Sequence, residues 1–212
     1  MTRAEIQGFL KRLEECFPHT ECFLHHENDW QLLIAILLSA QATDKSVNEA
    51  TKVLFFHFPT LESLAKAEEE EIEKDIHKVG LSRSKAKNVK KTAQILLEKY
   101  GAEVPKDREE LEKLPGIGHK TSGVFLAEEY QYPYLPVDTH VHRVTERLGL
   151  VPKGLTPDEV EEILERKLKA SVPIETHRRL ILLGRNYCLA RNPHCLDCPV
   201  REFCKEGKKK NR

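Results

Sequence analysis

Four cysteines stand close together near the C-terminal end of the 212-residue sequence. Their spacing is Cys188-x6-Cys195-x2-Cys198-x5-Cys204. Thiolates that converge in space bind metal, and irregular spacers that contain proline let the chain turn around a centre. A structural zinc site usually shows two short paired spacings, whereas four cysteines in a reducing compartment also suit a 4Fe–4S cluster. The spacing therefore predicts a metal site, favours iron–sulfur and leaves zinc open, with two disulfides as the least favoured alternative.

A lysine follows a proline–glycine turn in the middle of the chain. The segment Leu114-Pro115-Gly116-Ile117-Gly118-His119-Lys120 predicts two helices joined by a tight hairpin, the second beginning near Gly118. N–H groups at a helix N-terminus bind anions, and Gly116 and Gly118 let a phosphate approach the backbone without sequence preference. The full pattern indicates a helix–hairpin–helix DNA-binding element. Lys120 can contact phosphate there, or it can act as a nucleophile, because a helix N-terminus disfavours the ammonium form.

Asp138 is a second candidate for chemistry. It precedes Val141, Val144 and Leu148, whose spacing predicts one apolar face of a helix, so Asp138 is expected to cap that helix. Capping is the ordinary role of an aspartate at this place. A capping carboxylate is also held rigidly, so its charge can act on a nearby reacting centre.

The composition is that of a globular protein, with 40% hydrophobic and 32% charged residues and a mean hydropathy of −0.51. The longest apolar run, Leu32–Leu38, is much shorter than the roughly 18 residues that a membrane span needs. The N-terminal segment has scattered charges and no apolar core of the secretory type. These features predict a cytoplasmic chain without a membrane partner.

Charge is balanced overall, with 34 basic and 34 acidic residues, but it is sorted into blocks. Residues 61–78 are mainly acidic, and the tail from Arg185 onward is mainly basic. A further basic block without any acid contains Arg83, Lys85, Lys87, Lys90 and Lys91. The blocks indicate a basic face for a polyanion, although solvated helix surfaces have similar patterns.

Helical spacing of apolar residues recurs along the chain and predicts an all-α fold. Residues 30–40 predict a buried central helix capped by Asp29. One apolar stripe is expected to end at Gly80 and another at Gly101. A capping box is predicted at Thr156–Glu159, and the proline-rich segment 132–136 is expected to separate two helical lobes. Cys16 and Cys22, far from the cysteine cluster, are expected to be core residues.

Taken together, these motifs resemble the endonuclease III family of DNA glycosylases, the iron–sulfur type within the helix–hairpin–helix superfamily. The resemblance covers nearly the whole chain and includes the spacing of all four cysteines. Its other motifs are the segments Leu37–Asp44, Val79–Leu81, Leu114–Thr121 and Val137–His140. It implies a helical barrel lobe over residues 23–132 and a cluster lobe formed by residues 1–22 and 133–212, with DNA in the groove between them. It also implies one 4Fe–4S cluster.

The resemblance further implies a bifunctional DNA glycosylase and abasic-site lyase that removes oxidised pyrimidines from duplex DNA. Lys120 would attack the sugar C1′, expel the base and form a Schiff base, and β-elimination would then cut the strand on the 3′ side. Asp138 would assist the loss of the base. The other implied site residues are the DNA-contacting residues Gln41, Leu81, Gly116, Gly118, His140 and Arg191, and the metal ligands Cys188, Cys195, Cys198 and Cys204. Of these, Gln41 and Leu81 would fill the gap left by the flipped nucleotide.

The partner is expected to be double-stranded DNA that contains damaged bases or abasic sites, bound by a monomeric protein. Two mismatch glycosylases of the same fold, for adenine and for thymine, differ at the position of Lys120, which counts against both. Outside the enzymes, a non-catalytic DNA-binding module would use the same hairpin, basic residues and cysteines. A zinc-stabilised helical protein is the third alternative.

Overall fold

In a computed structural model, which describes residues 1–168 and 174–211, the chain folds into α-helices and short 3-10 turns. No strand occurs in these two ranges, so the predicted all-α fold is confirmed. The helices in chain order are α1 (Arg3–Cys16), α2 (Asp29–Ser39), α3 (Asp44–His57), α4 (Leu61–Lys66), α5 (Glu69–Asp75), α6 (Ser82–Tyr100), α7 (Arg108–Glu112), α8 (His119–Tyr130), α9 (Thr139–Leu148), α10 (Pro157–Leu168) and α11 (Ile174–Asn186). The 3-10 turns are Arg201–Phe203 and Gly207–Asn211.

The chain divides into two compact units. One unit, called here the hairpin unit, is Cys22–Tyr130 and contains α2–α8. The other, called the terminal unit, combines Met1–Glu21 with Gln131–Arg212 and contains α1 and α9–α11.

Helix α2 forms the centre of the hairpin unit. Every residue from Gln31 to Leu38 is at most 5% exposed. Helices α3, α6 and α8 pack against it, and α6 also packs against α4 and α5. A helix that is apolar on all sides must be covered all round, so the predicted central position of this segment is confirmed.

The terminal unit has its own core around α11. Helices α1 and α9 both pack on α11. Phe9 and Leu13 of α1 are fully buried, as are Val141 and Val144 of α9. In each unit, every long helix thus buries an apolar face in the core, and loops connect the helices.

Several helix ends have local caps, and those at Thr156–Glu159 and Gly101 confirm the predictions from the sequence. The Asp107 side chain accepts a hydrogen bond from the N–H of Glu110 and caps α7. Thr156 and Glu159 bond each other's backbone N–H at the start of α10. Helix α6 ends at Gly101, whose φ of +61° is the left-handed conformation that favours glycine.

Three other local predictions were wrong. Asn28, and not Asp29, caps α2, because its side chain accepts from the N–H of Gln31. Helix α5 ends at Asp75, well before Gly80, and the left-handed residue in the turn that follows is Leu81. Cys16 and Cys22 are half-buried and do not belong to either core.

None of the described helices is long and apolar enough to cross a membrane.

Candidate functional site

The predicted hairpin lies between α7 and α8. Leu111, Leu114 and Ile117 are at most 4% exposed and anchor it in the hairpin unit. The Thr92 hydroxyl of α6 donates to the carbonyl oxygen of Pro115 at 3.3 Å. The hairpin therefore has both apolar and polar support, although it is exposed at Gly116 and Gly118.

The two glycines of the hairpin serve different purposes. Gly116 has a φ of +82°, and a Cβ there would lie 2.8 Å from Nδ2 of Asn88. A Cβ at Gly118 would have no atom within 4 Å. Gly116 is therefore required by the backbone and its packing, whereas Gly118 leaves the approach to the N-terminus of α8 open.

A polar network that was not predicted from the sequence joins α7 to α8 behind the hairpin. The buried Ser122 hydroxyl lies 3.1 Å from Oε1 of Glu112 and 2.8 Å from the carbonyl oxygen of His119. The same Glu112 oxygen lies 3.0 Å from Nδ1 of His119. Arg108 donates to the His119 carbonyl at 2.9 Å. The network holds the first turn of α8 in one orientation, and only the contacts across the hairpin reveal it.

Lys120 is the second residue of α8 and is exposed. Its amine forms neither a hydrogen bond nor an ion pair with any of the described residues. The neighbouring His119 and Ser122 are both engaged in the network, so the backbone that carries Lys120 is held while its side chain is available to a ligand.

Gln41 and Leu81 occupy two neighbouring left-handed turns of the hairpin unit. Their backbone φ angles are +56° and +61°, values that residues other than glycine rarely adopt. Both are exposed, Leu81 by 66%. The two turns meet, because a Cβ at Gly80 would lie 3.8 Å from the carbonyl oxygen of Gln41. Strained exposed positions such as these concentrate at functional sites.

Lys85, counted in the basic block, is in fact buried. It is 5% exposed, and its amine donates to the carbonyl oxygens of Leu38 at 3.0 Å and Ala40 at 2.6 Å. Burial lowers the pKa of this lysine. Arg83, Lys87 and Lys91 remain exposed. These three members of the basic block are open to solvent, whereas Lys90 is half-buried and pairs with Glu68 at 3.6 Å, and Lys85 has its partners inside the unit.

Asp138 caps α9 of the terminal unit, as the sequence predicts. Its Oδ1 accepts from the N–H of His140 at 3.0 Å and from the N–H of Val141 at 2.7 Å. Its Oδ2 has no hydrogen-bond partner within the ranges that the structure covers. His140 follows, with its Nδ1 3.0 Å from the guanidinium of Arg143. The carboxylate is therefore held through one oxygen and offers the other.

Two arginines on α9 hold the segment that contains the first predicted metal ligand. Arg143 donates to the carbonyl oxygens of Cys188 at 2.8 Å and Gly184 at 3.0 Å. Arg147 donates to Leu189 at 2.7 Å. Neither arginine is among the site residues predicted from the sequence. They are four residues apart, which places both on the same face of α9. That spacing is the signal in the sequence that could have identified them.

The four predicted cysteine ligands lie in one region of the terminal unit. All are half-buried and free of disulfides. Burial is the main factor that raises the pKa of Cys198, to about 11, and the three other thiols of the set also raise it. The N–H of Gly207 donates to Sγ of Cys204 at 3.2 Å. Soft thiolates that receive N–H donors suit an iron–sulfur cluster, so the donor set fits the group.

Within the described ranges, no three His, Cys, Asp or Glu side chains are grouped so that they could hold one metal ion. Arg191 is exposed in the first of the loops between the cysteines.

The sequence of this chain is similar to those of known DNA repair proteins. Residues 34–170 match the family model described as HhH-GPD superfamily base excision DNA repair protein. Residues 188–204 match the iron–sulfur binding domain of endonuclease III. Endonuclease III of Bacillus subtilis is 43% identical over 208 residues, which cover 98% of this chain and 95% of that protein. The chain belongs to the endonuclease III family.

Other relatives agree with this membership. Endonuclease III of Escherichia coli K12 is 41% identical over 209 residues, 99% of either chain. A trapped endonuclease III–DNA covalent intermediate has a TM-score of 0.93 at 42% identity and full coverage of both chains. A non-covalent endonuclease III–DNA complex has the same TM-score and identity, with 100% of this chain and 99% of the other covered.

Family membership decides among the alternatives that the sequence left open. The protein is a DNA glycosylase and lyase of base excision repair, and not a non-catalytic binding module. One 4Fe–4S cluster is its cofactor, and not zinc. An endonuclease III fold with its helix–hairpin–helix is thus confirmed for this chain.

Proposed function

We propose that this family member removes oxidised pyrimidines from duplex DNA and cuts the strand at the resulting abasic site, with Lys120 as the nucleophile. One observation carries the proposal: an exposed amine, without a partner among the described residues, stands on a rigidly held first turn of α8. The trapped covalent DNA intermediate of a 42% identical relative supports an attack by a protein group on DNA.

The reaction begins with attack of the neutral Lys120 amine on C1′. The bond between C1′ and the base breaks, and the base leaves with that electron pair and takes up a proton. The sugar ring then opens at O4′, which is protonated, to give a Schiff base between Lys120 and C1′. Loss of a proton from C2′ expels the 3′ phosphate, and water releases the amine.

Asp138 is proposed to supply negative charge as the base leaves and to help transfer protons. Its Oδ1 is engaged with two backbone N–H groups, so the carboxylate cannot rotate away. Preorganised charge of this kind stabilises positive charge that develops at a reacting carbon.

DNA contacts are proposed to come from both units. The N-terminus of α8 beside Gly116 and Gly118 would bind a phosphate, and so would Arg191 and the region of His140. The target atom is hidden in the stacked duplex, so the nucleotide must be flipped out. Gln41 and Leu81 would then fill the gap, because they are the exposed side chains that protrude from the two adjoining turns.

Cys188, Cys195, Cys198 and Cys204 are proposed as the ligands of the 4Fe–4S cluster. When bound, such a cluster cross-links the chain segments that ligate it and can exchange one electron. The two compact units are proposed to be the two lobes that the resemblance implies. A monomeric state and a cytoplasmic location, at the nucleoid if the source is bacterial, remain predictions.

The test is borohydride trapping on a duplex that carries one thymine glycol, with a second duplex that carries a plain abasic site. Borohydride reduces a Schiff base to a stable protein–DNA adduct that is visible on a denaturing gel. We expect the wild type to form the adduct on both duplexes and Lys120→Ala to form it on neither, with DNA binding retained.

A matched control is Lys66→Ala, which removes an exposed lysine of α4 without a partner in the described structure. It should trap as the wild type does. An adduct from Lys120→Ala would contradict the role of Lys120. Trapping on the abasic duplex but not on thymine glycol would retain the lyase chemistry and reject oxidised pyrimidines of this type as the substrate.

A further inference from the structure

Lys85 is a lysine that the proposed reaction does not use, yet its amine is enclosed by protein. It is the fourth residue of α6 and lies among the buried Ala86 and Val89. An ammonium group is rarely buried unless it is fully hydrogen-bonded, because it loses its hydration. The burial of this amine therefore indicates a structural role inside the hairpin unit.

The amine meets the C-terminal end of α2. The last carbonyl groups of a helix have no partner within it and carry partial negative charge. Lys85 donates to two of the carbonyl oxygens at this end, those of Leu38 and Ala40. A buried cation is thus placed where the helix favours positive charge.

The same contact controls the conformation of Gln41. The carbonyl oxygen of Ala40 belongs to the peptide plane that also contains the nitrogen of Gln41, and the orientation of this plane sets φ of Gln41. The bond of 2.6 Å from Lys85 to that oxygen holds the plane in place. Gln41 can then keep its φ of +56°, which is otherwise unfavourable.

Lys85 also holds the second turn through its backbone. Its N–H donates to the carbonyl oxygen of Leu81 at 3.0 Å. Leu81 is the N-cap of α6 and has no side-chain cap of its own, so this bond closes the first turn of the helix. Any residue except proline could make this main-chain bond, so the lysine side chain itself acts on the turn of Gln41, and on the turn of Leu81 through the contact between the two turns.

We propose that Lys85 is a positioning residue that locks the two turns carrying Gln41 and Leu81 in the conformation needed to fill the gap in the DNA. This inference rests on the proposed gap-filling function of those two side chains. Phosphate contact is not the role of Lys85, because its amine is buried and already bonded to two carbonyl oxygens.

The experiment is a double-mutant cycle on the full-length protein with its cluster. Lys85→Met removes the ammonium and keeps an unbranched side chain. It is made in the wild type and in the Gln41→Ala/Leu81→Ala background, where no gap-filling side chain remains to be positioned. The measured quantity is the single-turnover rate of base removal from a duplex that carries one thymine glycol.

In the wild-type background, we expect Lys85→Met to slow base removal about tenfold, since a small misplacement of a positioned group has a large effect. In the Gln41→Ala/Leu81→Ala background, Lys85→Met should lower the rate by less than a further factor of about two, because the effects of substitutions at coupled residues are not additive. A merely structural role would not produce this difference between backgrounds.

Two controls separate positioning from charge and from stability. Lys66→Met removes an exposed lysine of α4, and Ile72→Val weakens the core of the hairpin unit without touching either turn. Both should change the rate by less than about twofold. If Lys85→Met does not fold with its cluster, the same cycle is run with Lys85→Gln, which keeps an N–H donor but has no charge and a shorter reach.

Equal losses in both backgrounds, or no loss in either, would overturn the role of Lys85. A different result would reject the function on which it rests. If Gln41→Ala/Leu81→Ala itself removes the base at the wild-type rate, gap filling by these side chains is wrong, and the positioning role fails with it.

Discussion

The hairpin and the cysteine loop both present residues that are proposed to contact DNA, but they are supported in opposite ways. The hairpin rests on Leu111, Leu114 and Ile117, which are all buried. In the loop from Cys188 to Cys204, Val200 is buried whereas Leu196 is 69% exposed. The hairpin is therefore folded by the core of its own unit.

The cysteine loop depends instead on polar contacts and on its cofactor. Arg143 and Arg147 bond backbone carbonyls of residues 188–190. At the other end of the loop, the N–H of Lys205 donates to the Leu148 carbonyl, and Phe203 packs edge-on against Phe9 of α1. The two segments that are proposed to contact DNA are thus held by different physical means, so each should respond to a different perturbation.

Cys198→Ala should have the largest effect and should be confined to the cysteine loop. Loss of one ligand removes the cluster, and with little apolar burial the loop should open with a free energy near zero. Hydrogen exchange should show loss of amide protection over residues 188–207, while the amides of α8 keep theirs.

The control for this prediction is Cys16→Ala, which replaces a half-buried cysteine outside the proposed ligand set. It should keep both the visible absorption of the cluster and the protection of the loop. A Cys198→Ala protein with a fully protected loop and full activity would show that the loop does not depend on the cluster.

Leucine-to-alanine substitutions in the two segments should differ in their effect on stability. Leu114→Ala in the hairpin should lower the free energy of unfolding by about 2–5 kcal/mol, because it leaves a cavity in the core. Leu196→Ala in the loop should change it by less than about 0.5 kcal/mol, since that side chain is exposed. Denaturant unfolding followed by circular dichroism measures both, and equal values would refute the comparison.

Substitutions of Asp138 should have only a small effect on stability and a large effect on catalysis. Asp138→Ala removes the cap of α9 and should lower the free energy of unfolding by about 1 kcal/mol. Asp138→Asn should change it by only a few tenths of a kcal/mol, because asparagine caps equally well.

Activity assays on the same two variants separate capping from catalysis. Both should lose most of the rate of base removal, because neither has the negative charge at this position. Thermal melts measure the stability of the two variants, and single-turnover assays measure their rates of base removal. An Asp138→Asn enzyme with the wild-type rate would reduce Asp138 to a helix cap.

The features that could be predicted from the sequence each join residues that are close to one another along the chain. The caps at Asp107, Asp138 and Thr156 each join residues no more than three positions apart, so neighbouring residue types suffice to predict them. The wrong choice of Asp29 over Asn28 is an error of one position in such a pattern. The chemical class of the enzyme was also accessible, because the spacing of its motifs is specific to the family.

The features that were missed join residues that are distant in sequence. The amine of Lys85 bonds an oxygen 45 positions away, and Arg147 bonds one 42 positions away. The composition of the basic block could not reveal that one of its members is buried, because burial depends on how α6 packs on α2.

The sequence by itself therefore determined the helices, most of their caps, the order of the motifs and the family to which the chain belongs. Tertiary structure alone decided which lysine is enclosed and which exposed, why Gln41 and Leu81 stand in left-handed turns, and how α9 holds the cysteine loop. The physical reason is that caps and periodicity are local energies, whereas the partner of a buried charge is set only when distant helices pack together.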